Sequence, residues 1–226
     1  MDDIEKKHHI RDAATILLLR KRAGHHQVLM GQRGASAAFM PNKYVFPGGA
    51  IDPQDYEIYP DIPLNGHAMV KLSIKAPANI AQAAALAAIR ELWEETGLIL
   101  GQAGTSPKGI PRDWQGFFAK GVVPRVGALN FMFRAVTPPG RPRRFDARFF
   151  WADSAGVLGS DEDFSEASDE LGHLHWIDLE EAKTLDLPFV TEVVLSEIIA
   201  IMLAPDSSRK VPFFYHDDER SHFLLL

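Results

Sequence analysis

The sequence predicts an α/β fold in which a mixed sheet lies between helices, and three features of its apolar pattern lead there. Strand-like runs come first, one long helical run follows at 79–96, and strands return before a helical C-terminal stretch. No run is long and uncharged enough to span a bilayer. No segment repeats, and 226 residues suit a single domain with one substantial core, with room for insertions.

Residues 13–19 are β-branched and aliphatic and predict a buried strand. The charged stretch 20–26, with Gly24, predicts a turn, and 28–32 the second half of a hairpin. A short strand at 44–46 leads into Pro47-Gly48-Gly49, a predicted tight turn, because proline fixes one φ and glycine frees the next. The segment 53–78 holds Pro53, Pro60, Pro63 and Pro77, loses periodicity and predicts an inserted loop with at most a helical turn.

Asn79 is the expected N-cap of the long helix and Gly97 its stop, with the alanine-rich face packed on a sheet. Loop is expected at 101–112, strands at 128–136 and 145–152, acidic loop at 153–170 and a strand at 173–177. Asp178 is the expected cap of a short helix, and 190–203 reads as an amphipathic helix.

Composition narrows the function. The formal net charge of −6 argues against non-specific nucleic-acid binding, which needs a basic face to displace counterions. A small phosphorylated ligand remains compatible, because a local cluster of cations can reverse the field in a cleft. The absence of cysteine excludes disulfides, thiolate metal sites and a cysteine nucleophile, and it suits a reducing compartment. The polar N-terminal residues 1–11 carry no apolar stretch behind them, so a soluble, cytoplasmic protein without membrane contact is the expectation. The histidines, including His8, His9, His25, His26, His173 and His175, show no metal-ligand spacing.

The chemistry is concentrated in Arg90-Glu91-Leu92-Trp93-Glu94-Glu95-Thr96-Gly97-Leu98. On a helix, Glu91, Glu94 and Glu95 stand at i, i+3 and i+4 and project from one face. They repel one another and sit near the helix C-terminus, where the macrodipole disfavours anions. An arrangement so unfavourable calls for a cation, and clustered hard oxygens select Mg²⁺ or Mn²⁺ over zinc. Arg90 can reach Glu94 at i+4 or orient a neighbouring carboxylate with its planar fork. A lone Glu-x-x-Glu-Glu is usually a solvated helix face; here it is longer, and Gly48-Gly49-Ala50-Ile51-Asp52 stands upstream after a strand.

At these residues the chain resembles the Nudix hydrolase family. Arg90 through Leu98 matches every defined position of the second half of that family's signature, and Gly48 to Asp52 looks like its opening. Two departures stand out. The family places its opening glycine 14 positions before the arginine, but Gly49 and Arg90 are 41 apart (90 − 49), so 27 residues (41 − 14) are inserted. Counted back eight positions from Arg90, the signature's first glutamate falls on Gln82, which has no carboxylate.

The resemblance implies an α/β/α sandwich over residues 10–204, with 53–78 inserted and 205–226 a C-terminal extension packed on the domain. It implies metal-dependent hydrolysis of a diphosphate linkage in a nucleoside diphosphate derivative. Glu94 and Glu95 would hold metal together with the Gly49 carbonyl, and Glu91 would be a further ligand or the base that activates water. Some family members recruit a glutamate from a later loop as the base; Glu166 and Glu170 are the candidates, with Glu170 favoured and also counted among the expected metal ligands. Arg33, Arg148, Gly48 and Gly49 are the expected substrate contacts, with Arg143 and Arg144 as further phosphate candidates. The split signature and the Phe145-to-Phe150 strand look like the coenzyme A diphosphatase branch, making coenzyme A or an acyl derivative the leading substrate. The insertion, through Tyr56, Tyr59 and Leu64, would form a lid or a wall for the non-nucleotide half, so deleting Pro53 to Pro77 should change substrate preference more than metal affinity. A non-catalytic Nudix domain that senses a nucleotide is the competing expectation. Isopentenyl diphosphate isomerase, on the same fold, fits less because its chemistry uses a cysteine. The apolar end Phe223-Leu224-Leu225-Leu226 would be costly to leave exposed, which fits a homodimer and equally fits packing of the end within one chain.

Overall fold

A computed structural model describes residues 10–35, 37, 40–60, 62–206, 208–216 and 220–226; His8 and His9 lie outside these. Strands β1 (Ile10–Arg22) and β2 (His25–Arg33) form the expected hairpin, longer than its apolar kernel. Its turn uses Ala23 and Gly24, both at positive φ. Next come β3 (Tyr44–Val45), which pairs with β2, and β4 (Gly48–Ala50), which pairs antiparallel with β1.

The tight turn expected at Pro47-Gly48-Gly49 is therefore a strand, and neither glycine has positive φ. Close approach, not backbone handedness, requires glycine here. A Cβ on Gly48 would fall 2.6 Å from the Ala14 carbonyl oxygen.

The inserted segment is ordered rather than loop. It forms a 3₁₀ turn at Pro53–Glu57 and helix α1 (Gly66–Ser73), and it buries Ile58, Leu64 and Leu72 in the core. Leu64, expected on a substrate wall, is thus core, whereas Tyr56 and Tyr59 are exposed. Asn65 caps α1 by accepting the His67 amide at 2.8 Å.

Helix α2 (Ile80–Thr96) has the expected limits. Asn79 precedes it at φ 64° without a side-chain cap bond, because a left-handed residue does not aim its side chain at the first-turn amides. Gly97, at φ 76°, donates its amide to the Trp93 carbonyl and stops the helix.

After α2 run β5 (Ile99–Ala103), α3 (Gln115–Ala119), β6 (Val122–Pro124), β7 (Asn130–Val136), β8 (Arg144–Asp153) and β9 (Val157–Leu158). The chain continues with β10 (Leu171–Asp178), α4 (Leu179–Ala182) and α5 (Phe189–Leu203), and ends in the hairpin β11 (Pro212–His216) and β12 (Ser221–Leu225). Strand β5 occupies part of the expected 101–112 loop, pairing with β6 and β9 in a small separate sheet. Asp178 precedes α4 without making a side-chain cap bond.

The main sheet runs β10-β2-β1-β8-β7-β11-β12, with β1 parallel to β8 and β7 parallel to β11 and the remaining pairs antiparallel. Alternation along β1 separates two cores: Ala14, Ile16 and Leu18 face α2, while Leu17 and Leu19 face α5. Along α2, Ala84, Ala85, Ala87 and Ala88 are fully buried, and these small side chains let the helix lie close on the sheet. That docking fixes where the acidic end of α2 meets β4. Among the described residues, no helix is long and apolar enough to cross a membrane.

Candidate active site

Arg90 is the hub of the cluster. Its side chain is 6% exposed, and all five guanidinium N–H donors have acceptors. Nε and Nη2 donate to the two oxygens of Asp55 at 2.9 and 3.0 Å, and Nη2 also reaches the Ala50 carbonyl at 3.0 Å. Nη1 donates to Glu91 Oε1 at 2.9 Å and to Glu94 Oε2 at 2.8 Å. Burial works against this charge, but the Asp55 hydrogen bond and the charges of Glu91, Asp55 and Glu94 outweigh it and raise the Arg90 pKa.

Asp55 was not anticipated from the sequence. It is fully buried and accepts four hydrogen bonds: Arg90 Nε and the Trp114 indole N–H on Oδ1, Arg90 Nη2 and the Asp52 amide on Oδ2. The signal that could have found it is the other direction of counting. The signature glutamate lies six positions after the opening glycine (14 − 8), and six after Gly49 is Asp55. The insertion therefore begins after this carboxylate. Gln82, the position reached by counting back, lies on the first turn of α2, eight residues or roughly 12 Å from Arg90. Its Nε2 is buried without a hydrogen-bond partner.

The glutamates are held by different means. Glu95 is 2% exposed and accepts the Gly48 amide on Oε2 at 2.8 Å. Gly49 packs against Glu91 so closely that a Cβ there would lie 2.5 Å from the Glu91 carboxyl carbon. Burial, with the charges of Glu94 and Glu170, pushes the Glu91 pKa up to about 7 against the opposing pull of Arg90. Burial also raises Glu94, and burial together with Glu91 lifts Glu95 well above the usual carboxylate range. The mutual repulsion expected from the spacing is present and is strengthened by loss of water.

Arg33, at the end of β2, donates from Nη2 to Glu170 Oε1 at 3.2 Å. The charges of both residues reach Glu95, and that of Glu170 also reaches Glu91, so this pair borders the cluster. Glu166 lies elsewhere, against Gly97 and ion-paired to Lys120 at 2.6 Å.

Arg148, expected to contact phosphate, is placed differently. It is fully buried in β8 and bonded to Asp12 at 2.8 Å and to Asp146 at 3.3 Å. A guanidinium committed to two carboxylates inside the sheet is not presented to a ligand. Arg134 joins Asp146 and donates to the Ile74 and Lys75 carbonyls, tying down the end of the insertion. Arg144 donates to the Thr137 carbonyl.

Among the described residues, no three acidic or histidine side chains are already closed into a metal site. Glu91 and Glu94 face Arg90, and Glu95 faces the Gly48 amide. Yet each uses a single oxygen there, which leaves Glu91 Oε2, Glu94 Oε1 and Glu95 Oε1 without protein donors among the described residues. Three carboxylates with spare oxygens, Glu95 buried and Glu91 and Glu94 partly so, with Glu91 against a glycine that has no side chain, are a donor set that fits a hard divalent cation.

Residues 9–196 match the NUDIX domain family. A Caenorhabditis elegans protein bearing the name nudix hydrolase 7 is 30% identical over 183 residues, covering 76% of this chain and 52% of that protein. A Gallus gallus protein named acyl-coenzyme A diphosphatase NUDT19 is 28% identical over 141 residues, covering 48% of this chain and 36% of that one. The chain thus spans about half the length of the first of these relatives and less of the second. The crystal structure of a NUDIX hydrolase from Alicyclobacillus acidocaldarius is similar at a TM-score of 0.65 and 28% identity, over 85% of this chain and 92% of that one. A signature helix anchored by Arg90, the sandwich that carries it and a match over most of the length agree: this chain belongs to the Nudix family.

Proposed function

We propose that the protein is a divalent-metal-dependent hydrolase that cleaves the diphosphate linkage of nucleoside diphosphate derivatives, with coenzyme A or acyl-coenzyme A as leading substrate. The observation that carries this reading is the set of three carboxylates on α2, each with one oxygen held and one left over, with Glu91 lying against Gly49. Nudix hydrolases generally use divalent metal ions, and Mg²⁺ or Mn²⁺ suits all-oxygen donors.

Glu91, Glu94, Glu95 and the Gly49 carbonyl would hold the metal. When bound, it supplies charge neutralisation at the diphosphate oxygens and a bound water of lowered pKa. Arg90 has no donor left for a phosphate, so its part is to hold Glu91 and Glu94 at fixed positions. Glu170, at the edge of the cluster, is the favoured base for the attacking water, ahead of Glu166, which lies against Gly97 and is paired with Lys120. Arg33 is the phosphate contact, able to turn from Glu170 to the substrate. The proton leaves water for the carboxylate as the oxygen attacks phosphorus, and the bridging oxygen departs with the second phosphate.

Coenzyme A is supported by the name of the Gallus gallus relative. A non-catalytic sensing domain loses its support once Asp55 supplies the carboxylate that Gln82 lacks. A cytoplasmic location fits the absence of cysteine, and a homodimer fits the exposure of Phe223 and Leu225 on edge strand β12.

The test is hydrolysis of acyl-coenzyme A, coenzyme A, ADP-ribose, NADH and dinucleoside polyphosphates with Mg²⁺ or Mn²⁺. Preferential cleavage of the coenzyme A compounds is expected. Preference for another member would reassign the substrate, and tight binding of one member without turnover of any would favour sensing.

A further inference from the structure

We infer that Trp114, which lies outside the family signature, is a positioning residue for the carboxylates of the site, acting through Asp55 and Arg90. This rests on the reading of Glu91 and Glu94 as metal-holding groups.

Trp114 is separated from Asp55 by 59 positions, yet its indole N–H donates to Asp55 Oδ1 at 3.0 Å in a fully buried contact. A buried indole N–H needs an acceptor, and the one used here is the same carboxylate that holds Arg90. That bond has a charged acceptor and is shielded from water, so it constrains geometry more than a neutral surface bond would.

The consequence lies in how Asp55 is oriented. Arg90 approaches both of its oxygens, so the Asp55–Arg90 pair can pivot as a unit unless something else fixes the carboxylate plane. Two donors do so, the Asp52 amide on Oδ2 at 2.8 Å and the Trp114 indole on Oδ1. With the plane fixed, Arg90 Nη1 is fixed too, and it meets Glu91 and Glu94.

Trp114 is itself held rigidly. Its ring packs edge-on against Phe117 at 5.4 Å and tilted on Phe118 at 5.9 Å. Next to it, the Asp113 amide donates to Gln54 Oε1 at 3.0 Å, and the Asp113 carboxylate accepts from Gln54 Nε2. The segment before α3 is thus joined to the 3₁₀ turn Pro53–Glu57 at two successive residues, Gln54 and Asp55. Indole, carboxylate, guanidinium and carboxylate form one chain of hydrogen bonds from this segment to α2.

The experiment compares Trp114→Phe with Phe118→Leu. The first keeps an aromatic ring and removes the donor; the second keeps the donor and damages the packing around it. Mn²⁺ binding to each protein without substrate is followed by water-proton relaxation, beside kcat and KM for a cleaved diphosphate. Trp114→Phe should weaken Mn²⁺ about tenfold or more and lower kcat at fixed metal, leaving KM at saturating metal unchanged. Phe118→Leu should lower the thermal midpoint but keep Mn²⁺ affinity. Unchanged Mn²⁺ affinity in Trp114→Phe, or equal weakening in both variants, would overturn the inference, as would a wild type that binds no Mn²⁺. A wild type that binds Mn²⁺ in a Trp114-dependent way but cleaves no diphosphate would uphold the inference and remove the hydrolase reading.

Discussion

Gly49 on β4 and Glu91 on α2 sit so close that one added methyl group would overlap the carboxylate, with its carbon 2.5 Å from Cδ. Real Cβ atoms do not approach so near, so Gly49→Ala must displace Glu91, the strand or both. The expected result is a loss of about 100-fold in kcat/KM, the order that a misplacement near 1 Å costs. Gly66→Ala, at a helical glycine with open space around it, is the matched control and should leave activity unchanged. Steady-state kinetics on both variants checks the contrast.

Stability should depend on pH through Glu91, and metal should abolish that dependence. Its pKa is raised from 4.5 to about 7 in the folded protein, chiefly by burial. The folded state therefore keeps a proton that the unfolded chain releases, a contribution fully present below pH 4.5 and lost as pH rises through 7. From the size of the shift, the loss is at most about 3 kcal/mol. In EDTA the urea midpoint should fall between pH 5 and 7.5, and saturating Mg²⁺ should flatten the curve. A rising midpoint in EDTA would contradict the assignment.

Asp55 and Gln82 compete for the signature's acidic position, and substitution separates them. Asp55→Asn leaves the Arg90 charge buried with a weaker partner and should cost about 3–5 kcal/mol, the range for breaking a buried pair. Hydrolysis should fall with it even where the fold persists. Gln82→Leu removes a buried amide nitrogen that has no partner, so it should be neutral or mildly stabilising and leave hydrolysis intact. Denaturation midpoints with initial rates decide between the two positions.

Glu170 and Glu166 divide the question of the base. Glu170→Gln should lower kcat by about 100-fold or more without matching loss of substrate affinity. Glu166→Gln should cost no more than its exposed ion pair with Lys120, which is small. Equal and slight effects of both would return the role of base to Glu91.

The fold and the acidic helix were legible because both are written in local periodicity. The run at 13–19, the alanine face of α2 and Gly97 each announce one conformation, and the structure adopts it. What sequence reading missed depends on partners far along the chain. Gly48 and Gly49 read as a turn because glycine's other use, close approach, is visible only once Ala14 and Glu91 are beside them. The insertion read as loop because its buried residues, Ile58, Leu64 and Leu72, are too widely spaced to make a period. Deleting it would remove these core contacts, so the change in substrate preference expected from that deletion would be masked by unfolding. Arg148 read as a ligand contact for a similar reason: Asp12, 136 positions away, is what neutralises it.

Metal-dependent attack of water on a diphosphate is the central claim, and oxygen-18 incorporation tests it most directly. Coenzyme A would be incubated with wild type and with Glu94→Gln in ¹⁸O-water, with Mg²⁺ or with EDTA, and the products weighed by mass spectrometry. The prediction is one ¹⁸O in one phosphate-bearing product of the wild type with Mg²⁺, and no product with EDTA or from Glu94→Gln. Cleavage that survives EDTA and the Glu94→Gln substitution alike would contradict the claim.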